Sequence, residues 1–312
     1  YVSNFSHGIL KYVENSDYRW QFKERNSLPI KYLKHYGIHQ ERLMVGISQS
    51  QKIPACIEVD EELCRLIGYF LAEGSYQDGI IFSFGAQETD LIEEVIKLVY
   101  RIFGLTACVR KSSVNKGVNI EVQSKNVEIV FREAFGIERG ADKKRIPWFL
   151  YHCDARKIKA FVYAYTRGDG STRLLKDNTT RIDVTSVSQR ILNDFQYLLS
   201  CIGISASFYR RNCGGIKRIG KVLTYSRPNY SLCFSGYVYK GKTIVRSNVR
   251  NRNDISDQIP LLPAFRRYIS VGKEQATISR ARLIKHLKQG TDIYNLVSSN
   301  LAFLKVRETK RI

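Results

Sequence analysis

The chain contains an internal repeat, in which two short segments each end in an acidic residue followed by glycine. Residues 67–75 read IGYFLAEGS and residues 163–171 read YAYTRGDGS, which places Glu73 and Asp169 at equivalent positions, 96 residues apart (169 minus 73). Two further matches follow in the same order: residues 104–107 (GLTA) with 203–206 (GISA), and residues 145–147 (RIP) with 258–260 (QIP). Three ordered matches indicate a duplicated structural unit.

Hydrophobic periodicity predicts the same order of elements in both copies. In the first copy we expect strands at 79–84, 107–113 and 117–124, with a hairpin turn at 115–117, and helices at 88–103 and 126–135. In the second copy we expect strands at 181–186, 205–211 and 230–239 and a helix at 189–202, with a longer hairpin connection from about 212 to 229. The predicted fold class is therefore α+β, each half running helix, hairpin strands, helix, hairpin strands, helix.

The repeat also suggests where the chain divides. We predict four parts: an N-terminal basic segment at 1–55, a first half at 56–150, a second half at 151–270 and a C-terminal helical segment at 271–312. The C-terminal segment includes a basic helical stretch at 278–287, which either touches a nucleic-acid backbone or packs on the core. The N-terminal segment is basic and aromatic and is a candidate accessory contact of the same kind.

The charge balance points to a polyanionic partner. Fifty Lys and Arg residues stand against 29 Asp and Glu residues, a formal net charge of +21. Residues 195–253 contain no acid, eleven Lys or Arg and six Tyr. A charge run is usually a solvated face, but an acid-free span of this length with interleaved tyrosines favours a nucleic-acid surface.

Several other classes find no support in the sequence. There is no run of about 18 apolar residues, no signal-peptide pattern and no amphipathic or lipidation motif for a membrane surface, so we expect a soluble, cytoplasmic protein. The seven cysteines form neither a CxxC pair nor a His/Cys cluster at zinc spacing. We therefore expect reduced thiols, with neither a zinc site nor a disulfide framework.

The two acid-glycine segments are predicted to be helices that end at Glu73 and Asp169, each followed by a glycine in a left-handed cap. Small residues lie four apart in each helix, which lets two such helices pack closely with their acids together (Gly68 and Ala72, Ala164 and Gly168). Carboxylates at helix C-termini oppose the macrodipole and repel each other. A bound divalent cation would compensate both unfavourable effects. Mg²⁺ is the cation that best suits carboxylate oxygens together with water ligands.

These residues resemble a known family. Residues 66–74 are similar to the first LAGLIDADG motif and residues 162–170 to the second, and the resemblance extends over about 57–270. The segments 60–63 (DEEL) and 144–147 (KRIP) are most similar to the endonuclease domains of archaeal inteins. Two departures are Tyr163 and Ala164, where Ala and Gly are usual, and Asp257, which stands where the repeat would place a second lysine.

The resemblance implies a site-specific homing endonuclease that cleaves both strands of a long DNA target with Mg²⁺, for which Mn²⁺ can substitute, leaving 3′ overhangs. It implies a monomer without protein partners, built from two αββαββα halves whose sheets form a saddle on double-stranded DNA. Glu73 and Asp169 match the carboxylates that bind two or more metal ions, with Gly74 and Gly170 beside them, and Lys144 matches a lysine near the scissile phosphate. Lys240 and Lys242 are the candidates for a second lysine.

The residues that would read the target are expected on the sheets and in the acid-free span. The candidate DNA contacts are Arg110, Lys111, Gln123, Arg210, Arg211, Lys217, Arg218, Lys240, Lys242 and Arg246. An alternative is a nucleic-acid-binding protein on the same scaffold without nuclease activity, such as an intron-RNA maturase. A protein-interaction scaffold would leave the charge unexplained.

Overall fold

The computed structural model describes most of the chain between residues 2 and 298. The described residues are 2–3, 7–25, 27–29, 31–32, 43–47, 50–111, 117–174, 180–204, 206–211, 215–219, 222–226, 228–235, 238–239, 242–243, 258–260, 265, 268–269 and 277–298. They form two compact units, Tyr1–Asp169 and Gly170–Ile312. None of the helices in this part of the chain is long and apolar enough to cross a bilayer.

The first unit begins with a small N-terminal assembly. It contains the short strands β1 (Val2–Ser3), β2 (Met44–Val45) and β3 (Ile53–Pro54), a 3-10 helix (His7–Tyr12) and the helix α1 (Ser16–Glu24). Val13, Leu28 and Leu43 form its own buried core. The buried side chain of Asn126 ties the assembly to the rest of the unit, because it bonds the backbone N–H of Ile47 at 3.0 Å and the carbonyl of Gln51 at 2.6 Å.

The first repeat follows in the order predicted. Its elements are α2 (Glu61–Glu73), β4 (Gly74–Tyr76), β5 (Ile80–Gly85), α3 (Thr89–Phe103), β6 (Cys108–Lys111), β7 (Gly117–Val122) and α4 (Lys125–Ile129), which continues as a π-helical turn (Val130–Ala134). The sheet is antiparallel, in the order β4-β5-β7-β6. Phe70 of α2 packs edge-on against Phe82 and Phe131, with ring centroids 5.7 and 4.7 Å apart, and so joins helix, sheet and the π turn into one core.

The first unit ends with the second acid-ended helix. After a 3-10 helix (Trp148–His152), α5 (Ala155–Asp169) packs along α2. Residue 158 and residues 160–166 of α5 are buried, so this helix is enclosed on nearly all sides over its middle. The division between the two units at Asp169 and Gly170 follows from this packing.

The second unit repeats the sheet of the first. It contains β8 (Gly170–Leu174), β9 (Thr180–Ser186), α6 (Gln189–Cys201), β10 (Ala206–Arg211), β11 (Gly215–Ile219), β12 (Val222–Ser226), β13 (Asn229–Ser235), β14 (Val238–Tyr239) and β15 (Lys242–Thr243). The main sheet has the order β8-β9-β13-β10, which is the order of the first sheet element for element. The duplication read from the sequence is thus present in the fold, and the α+β class is confirmed.

The two copies differ at one connection. The long link predicted between the last two strands of the second sheet contains a hairpin of its own, in which β11 and β12 pair from Gly215↔Ser226 to Ile219↔Val222. The hairpin turn predicted at 115–117 falls largely on residues outside the described set, as does the final helix expected for the second half.

A small C-terminal assembly closes the second unit. It comprises β16 (Gln258–Pro260), β17 (Thr277–Ser279), α7 (Arg280–Ile284) and α8 (Asp292–Ser298) around a core of its own. Its buried members are Phe265, Ile269, Ile278, Leu283, Leu287 and Val297. The basic helical stretch predicted at 278–287 is therefore part strand and part helix, because Ile278 pairs with Ile259 in the β16–β17 ladder.

Candidate active site

The site is built on two glycines that let α2 and α5 pack closely. A methyl group on Gly68 would lie 2.6 Å from the carbonyl oxygen of Phe161, and one on Gly168 would lie 2.7 Å from Cβ of Ala72. Any side chain at either position would push the helices apart. The small residues that suggested close packing in the sequence therefore lie in the contact itself.

This packing brings the two acids together at one end of the helix pair. Glu73 is the last residue of α2 and Asp169 the last of α5. The position of a Cβ on Gly168, the neighbour of Asp169 in the chain, is 3.1 Å from Cγ and 3.8 Å from Oε1 of Glu73. Both acids belong to the first unit, so their proximity follows from the helix pair alone.

Both carboxylates titrate well above their usual range. Burial raises the pKa of Glu73 to about 7, with further contributions from the negative charges of Asp169 and Glu88. Enclosure of its carboxylate likewise raises the pKa of Asp169 to about 6, although the charge of Lys144 partly opposes this and the residue as a whole is exposed to solvent. The protein itself supplies little positive charge to balance these two acids. Acids with raised pKa values of this kind are common at functional sites.

Lys144 lies at the same helix end. Its Nζ donates hydrogen bonds to the carbonyl oxygens of Phe70 (3.3 Å), Leu71 (2.9 Å) and Gly74 (2.9 Å). Burial lowers its pKa to about 8, against the opposing effect of Asp169 and Glu73. The Lys144 ammonium group therefore hydrogen-bonds carbonyls at the end of α2 and also acts electrostatically on the two acids.

Glu88 is a third acid near the site that the sequence analysis used only as a helix boundary. Its Oε2 accepts a hydrogen bond of 2.6 Å from the backbone N–H of Gly85, and its charge acts on Glu73. The residue stands just before the first residue of α3. Its position next to Glu73 depends on how β5 and α3 pack on α2, which the sequence pattern alone did not reveal.

The prediction of a left-handed glycine after the first acid is wrong. Gly74 has φ −91° and ψ 153°, an extended conformation, because the chain passes directly from α2 into β4. Glycine is required there for space, since a Cβ would overlap the ring and the carbonyl oxygen of Phe70. Gly170 likewise begins a strand, pairing with Val184.

The donor set fits a hard divalent cation. Glu73 and Asp169 offer carboxylate oxygens, and a partly solvated site leaves room for water ligands, as Mg²⁺ prefers. Within the described residues no three side chains of the types His, Cys, Asp and Glu converge on one point. A cation held here would thus need oxygens from water or from a bound phosphate as well.

The first sheet carries a polar face that includes two predicted contacts. Arg110 stands opposite Asn119, and Gln123 donates a hydrogen bond of 3.1 Å to Glu121, which in turn pairs with Arg110 at 3.1 Å. Lys111 alternates to the other side of its strand, opposite buried Val118, and is exposed at the sheet edge. Arg110 and Gln123 therefore share a face that Lys111 does not.

In the second sheet the register separates Arg210 from the polar face. Arg210 stands opposite Tyr230 at the end of the row that contains buried Leu232, although its own side chain is exposed. The polar face instead carries Arg181, whose guanidinium lies 6.0 Å from the ring of Tyr209 and donates to Asp183 at 3.0 and 3.1 Å. The sequence did not indicate these residues. Their position on the polar face follows from the alternation of side chains along a strand, which can be used only when the strand register is known.

The remaining predicted contacts are not described in full. Arg211, Lys217, Arg218 and Lys242 lie in strands whose backbone is described but whose side chains are not. Lys240 and Arg246 fall outside the described residues. These six stay predictions, as does the assignment of either Lys240 or Lys242 as a second lysine.

Comparison with known proteins supports the resemblance. Residues 156–235 match the family model described as LAGLIDADG-like domain. The chain is 36% identical over 122 residues to uncharacterized protein MJ0043 of Methanocaldococcus jannaschii, and 27% identical over 188 residues to a DNA polymerase of Thermococcus kodakarensis. These matches cover 38% and 57% of this chain but only 15% and 10% of the relatives. The homing endonuclease I-DmoI in complex with DNA and Mn is similar in structure, with a TM-score of 0.40 and 13% identity over 57% of this chain and 91% of that one.

Fold and site together define a duplicated α+β protein in which two closely packed helices end in acids beside an antiparallel sheet. The chain carries a LAGLIDADG-like domain at residues 156–235, and the resemblance to this family that its motifs indicated is confirmed.

Proposed function

We propose that the protein is a site-specific homing endonuclease that makes a Mg²⁺-dependent double-strand break in a long DNA target and leaves 3′ overhangs. One observation carries the proposal: α2 and α5 end side by side in Glu73 and Asp169, two acids that the protein itself leaves poorly compensated. Stability alone does not favour this arrangement, because each acid faces the negative end of a helix dipole and the other acid.

In this proposal Glu73 and Asp169 hold the metal, with Gly74 and Gly170 next to them in the chain. Bound Mg²⁺ supplies an activated water and stabilises the charge that develops on the phosphate. Lys144 fixes the end of α2, and so the position of Glu73, through three carbonyl contacts. Glu88, held by the Gly85 amide, adds a negative charge beside Glu73 that a bound cation would offset.

The polar faces of the two sheets are the proposed DNA surface. They present donors and acceptors of the kind that read base edges, among them Arg110 and Gln123 in one unit and Arg181 in the other. The net charge of +21 supplies the general attraction to phosphate. The monomeric state and the cytoplasmic location are part of the proposal.

The kinds of protein that contain similar segments support the proposal that this chain is encoded by a mobile genetic element. Segments similar to this chain occur in a DNA polymerase of Thermococcus kodakarensis, in an A-type ATP synthase of Pyrococcus abyssi and in the helicase Hel308 of Thermococcus kodakarensis, covering 10%, 16% and 16% of those proteins. Each of these three different proteins contains a segment similar to this chain, which is expected if such segments insert into host genes. An intein lies within the protein sequence of its host and would account for this pattern, and a free-standing intron gene stays the alternative for the origin of this chain.

The decisive experiment is cleavage of a randomised DNA site library in the presence of Mg²⁺. The unmodified protein is compared with Glu73→Gln/Asp169→Asn and with Glu93→Gln, an acid on the exposed face of α3 that serves as the matched control. Discrete double-strand cuts are expected from the unmodified protein and from the control, and none from the double variant. Cuts by the double variant at the same sites would contradict the assignment of the acids.

The same protein preparation distinguishes the proposed nuclease from the alternative, a nucleic-acid-binding protein without nuclease activity. A maturase or an inactive DNA-binding protein would bind without cutting, and the maturase would bind structured RNA more tightly than duplex DNA at matched salt. Salt must be equal in both arms because phosphate contacts alone change affinity by about 10³ to 10⁵ over a few-fold change in salt.

A further inference from the structure

An enclosed carboxylate on the polar face of the first sheet holds an exposed arginine. Glu121 lies in β7, and its Oε2 atom is 3.1 Å from Nε of Arg110 on the neighbouring strand β6. The same oxygen accepts a hydrogen bond of 3.1 Å from the side-chain amide of Gln123. The Glu121 side chain is 15% exposed and the Arg110 side chain 63%, so the acid is enclosed while the guanidinium reaches solvent.

The strand register supports this contact independently. Arg110 stands opposite Asn119, and Glu121 is two residues further along the strand that carries Asn119, so the three side chains lie on one face. Ser83 of β5 stands opposite Asn119 on the other side, and its hydroxyl donates to the Asn119 amide oxygen at 3.0 Å. Every second residue of β7 is buried on the opposite face of the sheet. The polar groups therefore lie on the face turned away from the core.

An acid on this face does not serve the general attraction to DNA. The chain has a net charge of +21, and attraction to phosphate would be stronger without a carboxylate on the proposed DNA surface. The pair of Glu121 and Arg110 adds no net charge. It supplies a fixed direction for the guanidinium instead, and charge pairs of this kind contribute to specificity more than to affinity.

We propose that Arg110, positioned by Glu121, reads a guanine at the major-groove edge of the DNA target, an inference that rests on the proposed DNA-binding function. Glu121 takes the Nε atom, which leaves the two terminal nitrogens of the guanidinium to donate to another pair of acceptors. Guanine presents two neighbouring acceptors, O6 and N7, in the major groove, and the fork of an arginine matches them. Arg110 is then a specificity-determining residue and Glu121 a positioning residue.

The second sheet contains a similar arrangement in a different strand. The Asp183 side chain in β9 is 4% exposed, and it accepts hydrogen bonds from Nε of Arg181 at 3.1 Å and from Nη2 at 3.0 Å. Glu121 lies in the third strand of its sheet and Asp183 in the second, so the two acids are not equivalent in the repeat. An enclosed acid that holds an exposed arginine on the polar face therefore occurs twice, and duplication alone does not explain it.

The test is the selection of bound sequences from a randomised duplex DNA library, with EDTA present so that no metal-dependent cleavage occurs. The unmodified protein is compared with Arg110→Met, with Glu121→Gln, and with Lys97→Met, which changes an exposed lysine on α3 and is the control. The unmodified protein and the control should prefer guanine about tenfold over other bases at one position. Arg110→Met should lose this preference and Glu121→Gln should weaken it, with the preferences at other positions retained.

The outcomes separate this inference from the nuclease proposal. The expected changes in base preference would support the inference even if the unmodified protein did not cut DNA in a separate assay with Mg²⁺. An equal fall in affinity for all sequences in Arg110→Met would make Arg110 a phosphate contact and overturn the inference. An unchanged guanine preference in Glu121→Gln would overturn the positioning role. Arg110 lies on the edge strand with an exposed side chain, so Arg110→Met keeps the test informative if Glu121→Gln fails to fold.

Discussion

The Nζ atom of Lys144 lies 2.9 Å from the carbonyl oxygen of Gly74, at the end of the helix that carries Glu73. It also reaches the carbonyls of Phe70 and Leu71, so one cation serves three acceptors at a helix end, where the helix itself supplies few donors. The family resemblance implies a place for Lys144 near the scissile phosphate. The structure gives it a task of its own, which is to stabilise the helix end that carries Glu73.

Replacing Lys144 with Met should therefore reduce stability as well as cleavage. We expect the free energy of unfolding to fall by about 2 kcal/mol, because buried carbonyls lose bonds from a charged donor. Urea denaturation of Lys144→Met beside Lys143→Met, which changes an exposed neighbour, measures this. If Lys144→Met lost cleavage at unchanged stability, Lys144 would act on the phosphate alone.

Replacing either acid should raise stability while it abolishes cleavage, whereas replacing Lys144 should lower both. Glu73→Gln and Asp169→Asn each remove one of two mutually repelling charges, so without metal we expect each variant to gain about 1 kcal/mol in the free energy of unfolding. DNA binding should persist while cleavage is lost. Denaturant titrations with and without Mg²⁺ give the comparison, and a loss of stability in both variants would show that the acids are structurally required.

Gly68→Ala tests the close approach of the helices. In an exposed helix this change adds up to about 1 kcal/mol of stability. Here the new methyl group would lie 2.6 Å from the Phe161 carbonyl oxygen and 2.9 Å from the Tyr165 nitrogen, backbone atoms that cannot move aside, and we expect a loss of about 2 kcal/mol or more. Gly168→Ala meets side-chain carbons instead and should cost less. Thermal unfolding of both variants checks the order, and equal effects would contradict it.

Glu128 should make the first unit sensitive to acid. Burial disfavours its charge, but hydrogen bonds from Arg139 and Lys125 outweigh this and lower its pKa to about 2. A carboxyl with a lowered folded pKa stabilises the protein above its unfolded pKa, near 4.5, and this contribution, about 2 kcal/mol, disappears as the pH falls towards 2.

Urea denaturation between pH 6 and pH 2.5 tests this effect. The stability difference between the unmodified protein and Glu128→Gln should be largest at pH 6 and shrink below pH 4.5. Arg132 pairs with both Glu128 and the exposed Glu133, so Glu133→Gln is the matched control and its stability difference should show little dependence on pH. A difference for Glu128→Gln that is constant across the range would rule out the charge as its cause.

Arg173 and Arg181 should contribute to DNA binding although neither was predicted from the sequence. Both pair with Asp183, which is nearly buried, so their guanidinium groups are held on the polar face of the second sheet. If each replaces a counterion on the DNA, Arg173→Ala and Arg181→Ala should each lower the slope of log Kd against log salt by about 0.9. Measurement in an Asp169→Asn background avoids cleavage, and Arg156→Ala, which changes an 81% exposed side chain, is the control. Unchanged slopes would remove both residues from the interface.

The sequence predicted most of the elements because their signals are local. The helix predicted at 88–103 is Thr89–Phe103, and the strand predicted at 181–186 is Thr180–Ser186. The pairing of the two acid-ended helices also followed from the repeat and from small residues spaced four apart. Errors arose where a local signal had two meanings: Gly74 was predicted to be left-handed, but is needed for its lack of a side chain beside Phe70.

The sequence by itself determined the duplication, the identity of the paired acids and the excess of positive charge, because repeats, spacing and charge are properties of the chain before it folds. Only the tertiary structure decided which groups surround those acids. The charge of Glu88 acts on Glu73, and Lys144 caps α2, through packing between separate segments of the chain. The face on which Arg110, Lys111 and Arg210 stand was likewise set by strand register, since a shift of one residue reverses every side chain.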